Sequence, residues 1–149
     1  MADSGPKLKK PSDVNSPSKQ PEPPVLFLDR SLGKIRVATA LRQTGAIVHI
    51  HDDYFPPNAK DEDWLTQVGL NGWIVLTKDY RIRYRNIERT ALMRAGVGAF
   101  ILTAGDLQGE EMAEIFMKAL PAIARFLRKH KKPFIAKVAR NGSVSLLFQ

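Results

Sequence analysis

Three aspartates stand beside apolar runs of the sequence, where their carboxylates could meet. Asp29 directly follows the first run, Asp79 follows a later run after two residues, and Asp61 opens the stretch that leads into that later run. In an open parallel α/β sheet, ligands bind outside the carboxyl ends of the strands. Converging carboxylates repel one another unless a cation lies between them. The sequence therefore predicts that Asp29, Asp61 and Asp79 bind a divalent metal, with Glu62 as a further candidate ligand.

Hard oxygen ligands suit Mg²⁺ or Mn²⁺, which can activate water and neutralise charge on a scissile phosphate. We therefore expect the three aspartates to be catalytic. Each also has a structural interpretation, since Asp29 could simply begin a turn and Asp61 could cap its helix. A carboxylate at the end of a buried strand is costly without a partner. This favours a functional role for Asp29 and Asp79, while both interpretations stay open for Asp61.

A basic and aromatic segment follows Asp79 directly. Arginine can clasp phosphate with two hydrogen bonds and tyrosine can stack on unpaired bases, a combination typical of a surface for single-stranded RNA. Alternatively, the segment is only the solvent-exposed start of a helix. With two further basic residues beside the acids, the predicted RNA-binding residues are Arg30, Lys78, Tyr80, Arg81, Arg83, Tyr84 and Arg85.

Alternating strand and helix patterns supply the elements that would position these residues. Short apolar runs predict buried strands at 25–28, 46–50, 73–76 and 97–102. Helical spacing of apolar residues predicts helices at 34–44, 61–70, 86–95 and 108–129, the last of them bent or divided at Pro121. The runs 134–138 and 144–148 predict a C-terminal β-hairpin. The alternation indicates an α/β fold with a mostly parallel sheet.

Composition narrows the functional classes. The chain has 149 residues, which suits one domain. It has no cysteine, so disulfides, thiolate zinc sites and cysteine nucleophiles are excluded. The formal net charge is +8, and residues 25–149 carry +7 of it, from 19 basic and 12 acidic side chains. A basic folded region favours a polyanionic partner such as nucleic acid.

The first 24 residues differ from the rest of the chain. They hold six of the ten prolines and few apolar residues, so we predict a disordered tail at 1–24 and a single domain at 25–149. The N-terminus lacks the apolar core of a secretory signal, and no run approaches the roughly 18 apolar residues of a membrane span. We therefore expect a cytoplasmic protein without membrane contact.

Three blocks of the sequence resemble the PIN-like domains related to VapC-type toxins. They are, in order, Phe27–Gly33, Asp61–Leu65 and Val75–Asp79, and the likeness extends from about residue 25 to residue 138. The resemblance implies a three-layer fold in which helices flank a mostly parallel sheet. It also implies an RNA-cleaving enzyme that depends on Mg²⁺ or Mn²⁺, the toxin of a toxin–antitoxin pair. RNA, a cognate antitoxin and a second copy of the chain are the implied partners.

The resemblance assigns the acids by position. Asp29 matches the acid after the first strand, Asp61 or Glu62 matches the helix acid, and Asp79 matches the acid of the Thr-x-Asp motif. Many PIN domains have a fourth acid shortly after the third. Arginines occupy that stretch here, so Glu88 or Asp106 would have to serve.

Two other functions are compatible with parts of this pattern. An incomplete acidic set would leave a catalytically incomplete PIN-like module that binds RNA or a protein partner. An aspartyl-phosphate receiver domain would also place acids at strand ends. Receivers, however, carry their threonine and lysine after separate strands, whereas Thr77 and Lys78 are adjacent.

Overall fold

The computed structural model describes residues 23–149. Residues 1–22 of the predicted N-terminal tail, 1–24, therefore lie outside the described residues. Strands and helices alternate along the described chain up to the C-terminal hairpin. The strands are β1 Val25–Leu28, β2 Ile47–Ile50, β3 Ile74–Thr77, β4 Gly98–Leu102, β5 Phe134–Val138 and β6 Val144–Phe148. The helices are α1 Arg36–Gln43, α2 Asp61–Asn71, α3 Arg81–Tyr84, α4 Asn86–Arg94 and α5 Gly109–Lys129.

The strands form one sheet in the order β2-β1-β3-β4-β5-β6. The first five strands are parallel, and β6 pairs antiparallel with β5. The predicted mostly parallel α/β sheet and its C-terminal hairpin are thus confirmed. The central position of β1 between β2 and β3 determines where a site can form, because the carboxyl ends of these three strands lie together at one edge.

Helices cover both faces of the sheet, which gives the three-layer arrangement. Leu26 and Leu28 of β1 pack with the apolar residues of α1 and α5 on one face. Phe27 points to the other face and packs with Trp64 and Val68 of α2. Successive side chains of a strand point to opposite faces of the sheet. Because helices cover both faces, every residue of a central strand such as β1 must be apolar to be buried.

Pro121 does not divide α5, which runs unbroken from Gly109 to Lys129, so the division that the sequence offered as one alternative to a bend is wrong. Proline removes the donor that would bond to the carbonyl of Met117, one turn earlier. Both Pro121 and Met117 are exposed, so water can satisfy that carbonyl. Ile123 and Phe126 are buried in the core beyond the proline and hold the helix against the sheet.

None of the helices within residues 23–149 combines the length and the apolar character needed to cross a membrane.

Candidate active site

A pocket of about 450 Å³ lies at the carboxyl edge of the sheet. Leu28 of β1 is paired with Leu76 of β3, so the chain segments that follow these residues leave the sheet side by side. The pocket is lined by acids from four elements or turns, namely Asp29, Asp61, Asp79 and Glu88. The fold therefore brings the three predicted aspartates to one pocket.

Asp29 is buried at the end of β1, with 7% of its surface exposed. One carboxylate oxygen accepts hydrogen bonds from the Ser31 backbone N–H, at 2.9 Å, and from the Ser31 hydroxyl. The other oxygen accepts a hydrogen bond from the Thr77 hydroxyl. The predicted turn at Asp29 is therefore present, as a 3₁₀ turn that its side chain caps. The same carboxylate also lines the pocket, so the structural and functional interpretations are compatible.

The two hydroxyl groups that hold Asp29 also connect it to the segment after β3. The Lys78 N–H donates to the Ser31 hydroxyl at 3.0 Å, and the Asp79 N–H donates to the Thr77 hydroxyl at 2.9 Å. This network fixes the positions of Asp29 and Asp79 relative to each other. Ser31 and Thr77 were not predicted as site residues, although a hydroxyl residue two positions from each aspartate is a local signal for such bonds.

The charge state of Asp29 is set by opposing effects. Burial raises its pKa from 3.8 to about 6, although the hydrogen bonds from Ser31 and Thr77 act to lower it. The negative charge of Asp79 adds to the increase. Above pH 6, therefore, the protein carries a buried carboxylate whose negative charge is unfavourable without a cation.

We predict that Asp29→Asn stabilises the protein above pH 6 in the presence of a chelator. The raised pKa means that the protonated form of Asp29 stabilises the fold below pH 3.8, and this contribution is lost as pH rises through about 6. The shift corresponds to on the order of 3 kcal/mol of unfolding free energy. Urea unfolding in EDTA at pH 4, 5 and 7 measures it. A difference between variant and wild type that does not grow with pH would contradict this account.

Asp79 is half-buried and forms an ion pair with Arg81. The Arg81 Nε donates to Asp79 Oδ1 at 2.9 Å and its Nη2 donates to Oδ2 at 2.6 Å, while the Arg81 backbone N–H donates to Oδ1 at 3.0 Å. Burial acts to raise the pKa of Asp79, but the hydrogen bonds and charge of Arg81 outweigh it, so the pKa is lowered. Asp79 is therefore ionised at neutral pH.

Asp61 is the first residue of α2 rather than its N-cap, which is Lys60. One of its oxygens accepts a hydrogen bond from the Trp64 indole N–H at 3.0 Å, and the other lies 3.9 Å from Arg81 Nη2. The capping interpretation of Asp61 is thus wrong. Its neighbour Glu62 does not line this pocket but lines an adjacent groove of about 950 Å³ between α2 and α4. Asp61 is the better placed of the two helix acids.

The structure distinguishes between the two candidates for a fourth acid. Glu88 lines the pocket, and its Oε1 is buried with no hydrogen-bond partner among residues 23–149. Asp106 is exposed in the loop before α5 and does not line the pocket. His51, which is buried at the end of β2, also lines the pocket. Burial lowers the pKa of His51, so its ring is neutral at pH 7.

The acids share a pocket but are not gathered into a ligand set. Within residues 23–149, no three acidic or histidine side chains lie close enough together to hold a metal ion as they are oriented. Asp79 is hydrogen-bonded to Arg81, and Asp61 is hydrogen-bonded to Trp64. The donors nevertheless suit a hard cation. Asp29 is a buried carboxylate and Glu88 Oε1 is a buried oxygen without a partner, so both would gain from a cation in the pocket.

The predicted RNA-binding residues fall into two groups. Lys78 and Tyr80 line the pocket, and Tyr84 and Arg85 are exposed nearby on the same segment, with the Arg83 guanidinium 5.3 Å from the centre of the Tyr84 ring. Two arginines are engaged by protein groups. Arg81 pairs with Asp79, and Arg30 donates to Asp52 and to the carbonyl of Pro57.

Two comparisons with known proteins gave matches to this chain. A family model described as "PIN like domain" matches residues 24–104, more than half of the chain, including Asp29, Asp61, Asp79 and Glu88. A curated relative from Mycobacterium tuberculosis strain H37Rv, named "Putative ribonuclease VapC45", is 32% identical over 126 residues. That alignment covers 82% of this chain and 91% of the relative. No solved structure gives a significant match.

Proposed function

This chain belongs to the PIN-like domain family, and from that premise we propose that it is a metal-dependent ribonuclease and the toxin of a toxin–antitoxin pair. The observation that carries the proposal is the placement of Asp29, Asp61, Asp79 and Glu88 around one pocket at the carboxyl edge of the sheet. The name of the relative supports a ribonuclease and a VapC-type toxin.

We assign Asp29, Asp61 and Asp79 as the catalytic and metal-binding residues, with Glu88 as the fourth acid. A bound Mg²⁺ or Mn²⁺ would supply an activated water and neutralise charge on the scissile phosphate. Asp29 offers a carboxylate fixed by two hydroxyl groups, and Asp79 offers one that is ionised at neutral pH. Asp61 can turn from α2 towards the same pocket.

RNA would reach the pocket along the segment that follows Asp79. Lys78 and Arg85 supply positive charge for phosphates, and Tyr80 and Tyr84, 64% and 68% exposed, offer rings for stacking on unpaired bases. Arg83 lies against Tyr84 and can orient its ring. Exposed aromatic rings beside basic side chains are the combination that binds single-stranded RNA, which supports such a role for these tyrosines.

The toxin part of the proposal brings further partners. A cognate antitoxin would bind the chain and suppress cleavage, and a second copy of the chain would form a homodimer. The site of action would be the cytoplasm, where cellular RNA is accessible. The relative's name supports the antitoxin, and the homodimer follows from the family resemblance.

The direct test uses wild-type protein and labelled single-stranded RNA. We predict cleavage with Mg²⁺ or Mn²⁺ and none in excess EDTA, because the buried carboxylates need a cation to act on a phosphate. Gel electrophoresis of the products measures the rate. Binding of RNA without cleavage at any metal concentration would reject the nuclease and support the catalytically incomplete binding module instead.

A further inference from the structure

Arg81 occupies both carboxylate oxygens of Asp79. Three of its N–H groups, at Nε, Nη2 and the backbone, donate to the two oxygens at distances between 2.6 and 3.2 Å. The bidentate arrangement is the strongest geometry available to an arginine and a carboxylate. Half-burial of Asp79 strengthens it further, because screening by water is reduced.

The same guanidinium also extends towards a second acid of the pocket. Its Nη2 lies 3.9 Å from Asp61 Oδ2. Arginine stays charged at all physiological pH values. A divalent cation bound by Asp79 and Asp61 would therefore meet a fixed positive charge, and it would have to share or displace the side-chain bonds that Arg81 makes to Asp79.

On the basis of the proposed metal-dependent function, we propose that Arg81 is a positioning residue that sets the divalent-metal affinity of the pocket by competing for Asp79. The side chain of Arg81 holds Asp79 towards the start of α3. Release of its Nε and Nη2 bonds lets the carboxylate turn towards Asp29 and Glu88. The backbone bond from the Arg81 N–H can persist during this rotation and keeps Asp79 anchored.

A competing role and a purely structural role for Arg81 predict opposite changes in metal affinity when Arg81 is removed. If Arg81 only fixed the start of α3, its removal would loosen Asp79 and weaken metal binding. If Arg81 competes with the cation, its removal frees two oxygens and deletes a nearby positive charge, and metal binding becomes tighter. Metal affinity therefore separates the two roles without any measurement of cleavage.

The test is isothermal titration of Mn²⁺ into full-length protein without RNA. We expect Arg81→Ala and Arg81→Gln each to bind Mn²⁺ about tenfold more tightly than wild type, because one unit charge is removed a few ångströms from the cation. Arg81→Gln is uncharged but keeps the unbranched stem as far as Cδ and a polar end group, so it serves if the alanine variant does not fold. The matched control is Arg36→Ala, which breaks an exposed pair with Glu110 outside the pocket and should leave affinity unchanged.

Each result decides the inference. Affinity that is equal to or weaker than wild type in a folded Arg81 variant overturns it, as does equal tightening in the Arg36 control. Absence of Mn²⁺ binding in every variant also overturns it. Failure of the proposed ribonuclease is seen separately, as absence of RNA cleavage by wild-type protein in the presence of metal.

Discussion

Asp29→Asn and Asp79→Asn are each expected to reduce metal-dependent RNA cleavage by on the order of a hundredfold or more, a loss comparable to removing a major electrostatic stabiliser. Asparagine keeps the size of the side chain but removes its charge, and an amide replaces a carboxylate ligand poorly. Both residues line the pocket at the carboxyl edge of β1 and β3. The loss is therefore expected in the cleavage rate at saturating RNA.

The two variants should nevertheless fold. The Ser31 and Thr77 hydroxyls that donate to Asp29 can rotate to suit an amide, and the Arg81 backbone N–H can still donate to the oxygen of an asparagine at position 79. Single-turnover cleavage with Mn²⁺ measures the effect, and circular dichroism verifies the fold. Asp63→Asn is the matched control, because Asp63 is exposed in the first turn of α2 and does not line the pocket. Wild-type rates in both site variants would reject the assignment.

Asp61→Asn distinguishes a ligand from a structural residue. The structure removes the capping role, since Lys60 is the N-cap of α2. What remains is the hydrogen bond from the Trp64 indole, which an asparagine oxygen can also accept, and a long, partly exposed ion pair with Arg81, with 3.9 Å between Oδ2 and Nη2, which contributes little to stability. Any large loss of cleavage in this variant would therefore reflect chemistry in the pocket rather than disruption of the helix.

Much of the fold follows from the order of apolar runs in the sequence. Buried parallel strands are continuous in their apolar character, and this pattern predicts strands at 25–28 and 73–76. The observed strands are Val25–Leu28 and Ile74–Thr77, the second one residue later than predicted. Once these strands are neighbours, Asp29 and Asp79 must leave the sheet at the same edge. The predicted proximity of the two acids thus depends on topology alone, which is why it could be anticipated.

The pairing of charges could not be read from the sequence in the same way. The segment after Asp79 contains several arginines, and composition does not say which of them faces the acid. The backbone turn at the start of α3 directs Arg81 back to Asp79, whereas Arg83 lies against Tyr84. The effect of Pro121 on α5 was likewise not readable from the sequence, because it depends on whether water can reach the carbonyl that the proline leaves without a donor.

The fourth acid was also left open by the sequence, between Glu88 and Asp106. Distance along the chain does not decide between them, because each could return to the pocket from a later element. The fold decides: α4 packs beside α2 and carries Glu88 to the pocket, whereas Asp106 is exposed in the loop between β4 and α5.

Glu88→Gln is expected to reduce cleavage by on the order of 10- to 100-fold, as is typical when a residue that orients or supplements metal ligands is lost. Glu88 Oε1 is buried and has no hydrogen-bond partner within residues 23–149, so its charge would be stabilised by a cation in the pocket. Glutamine has the same shape and removes that charge. The variant should also need a higher Mn²⁺ concentration for half-maximal rate.

Asp106→Asn provides the matched comparison for Glu88→Gln and should cleave RNA at the wild-type rate. Asp106 has a φ of 54°, a left-handed conformation that asparagine adopts as readily as aspartate, so the loop is not disturbed. The Mn²⁺ dependence of the cleavage rate, measured for both variants and wild type, gives the result. A loss in Asp106→Asn with none in Glu88→Gln would move the fourth acid to the loop before α5. Equal, wild-type rates in both would mean that Asp29, Asp61 and Asp79 suffice.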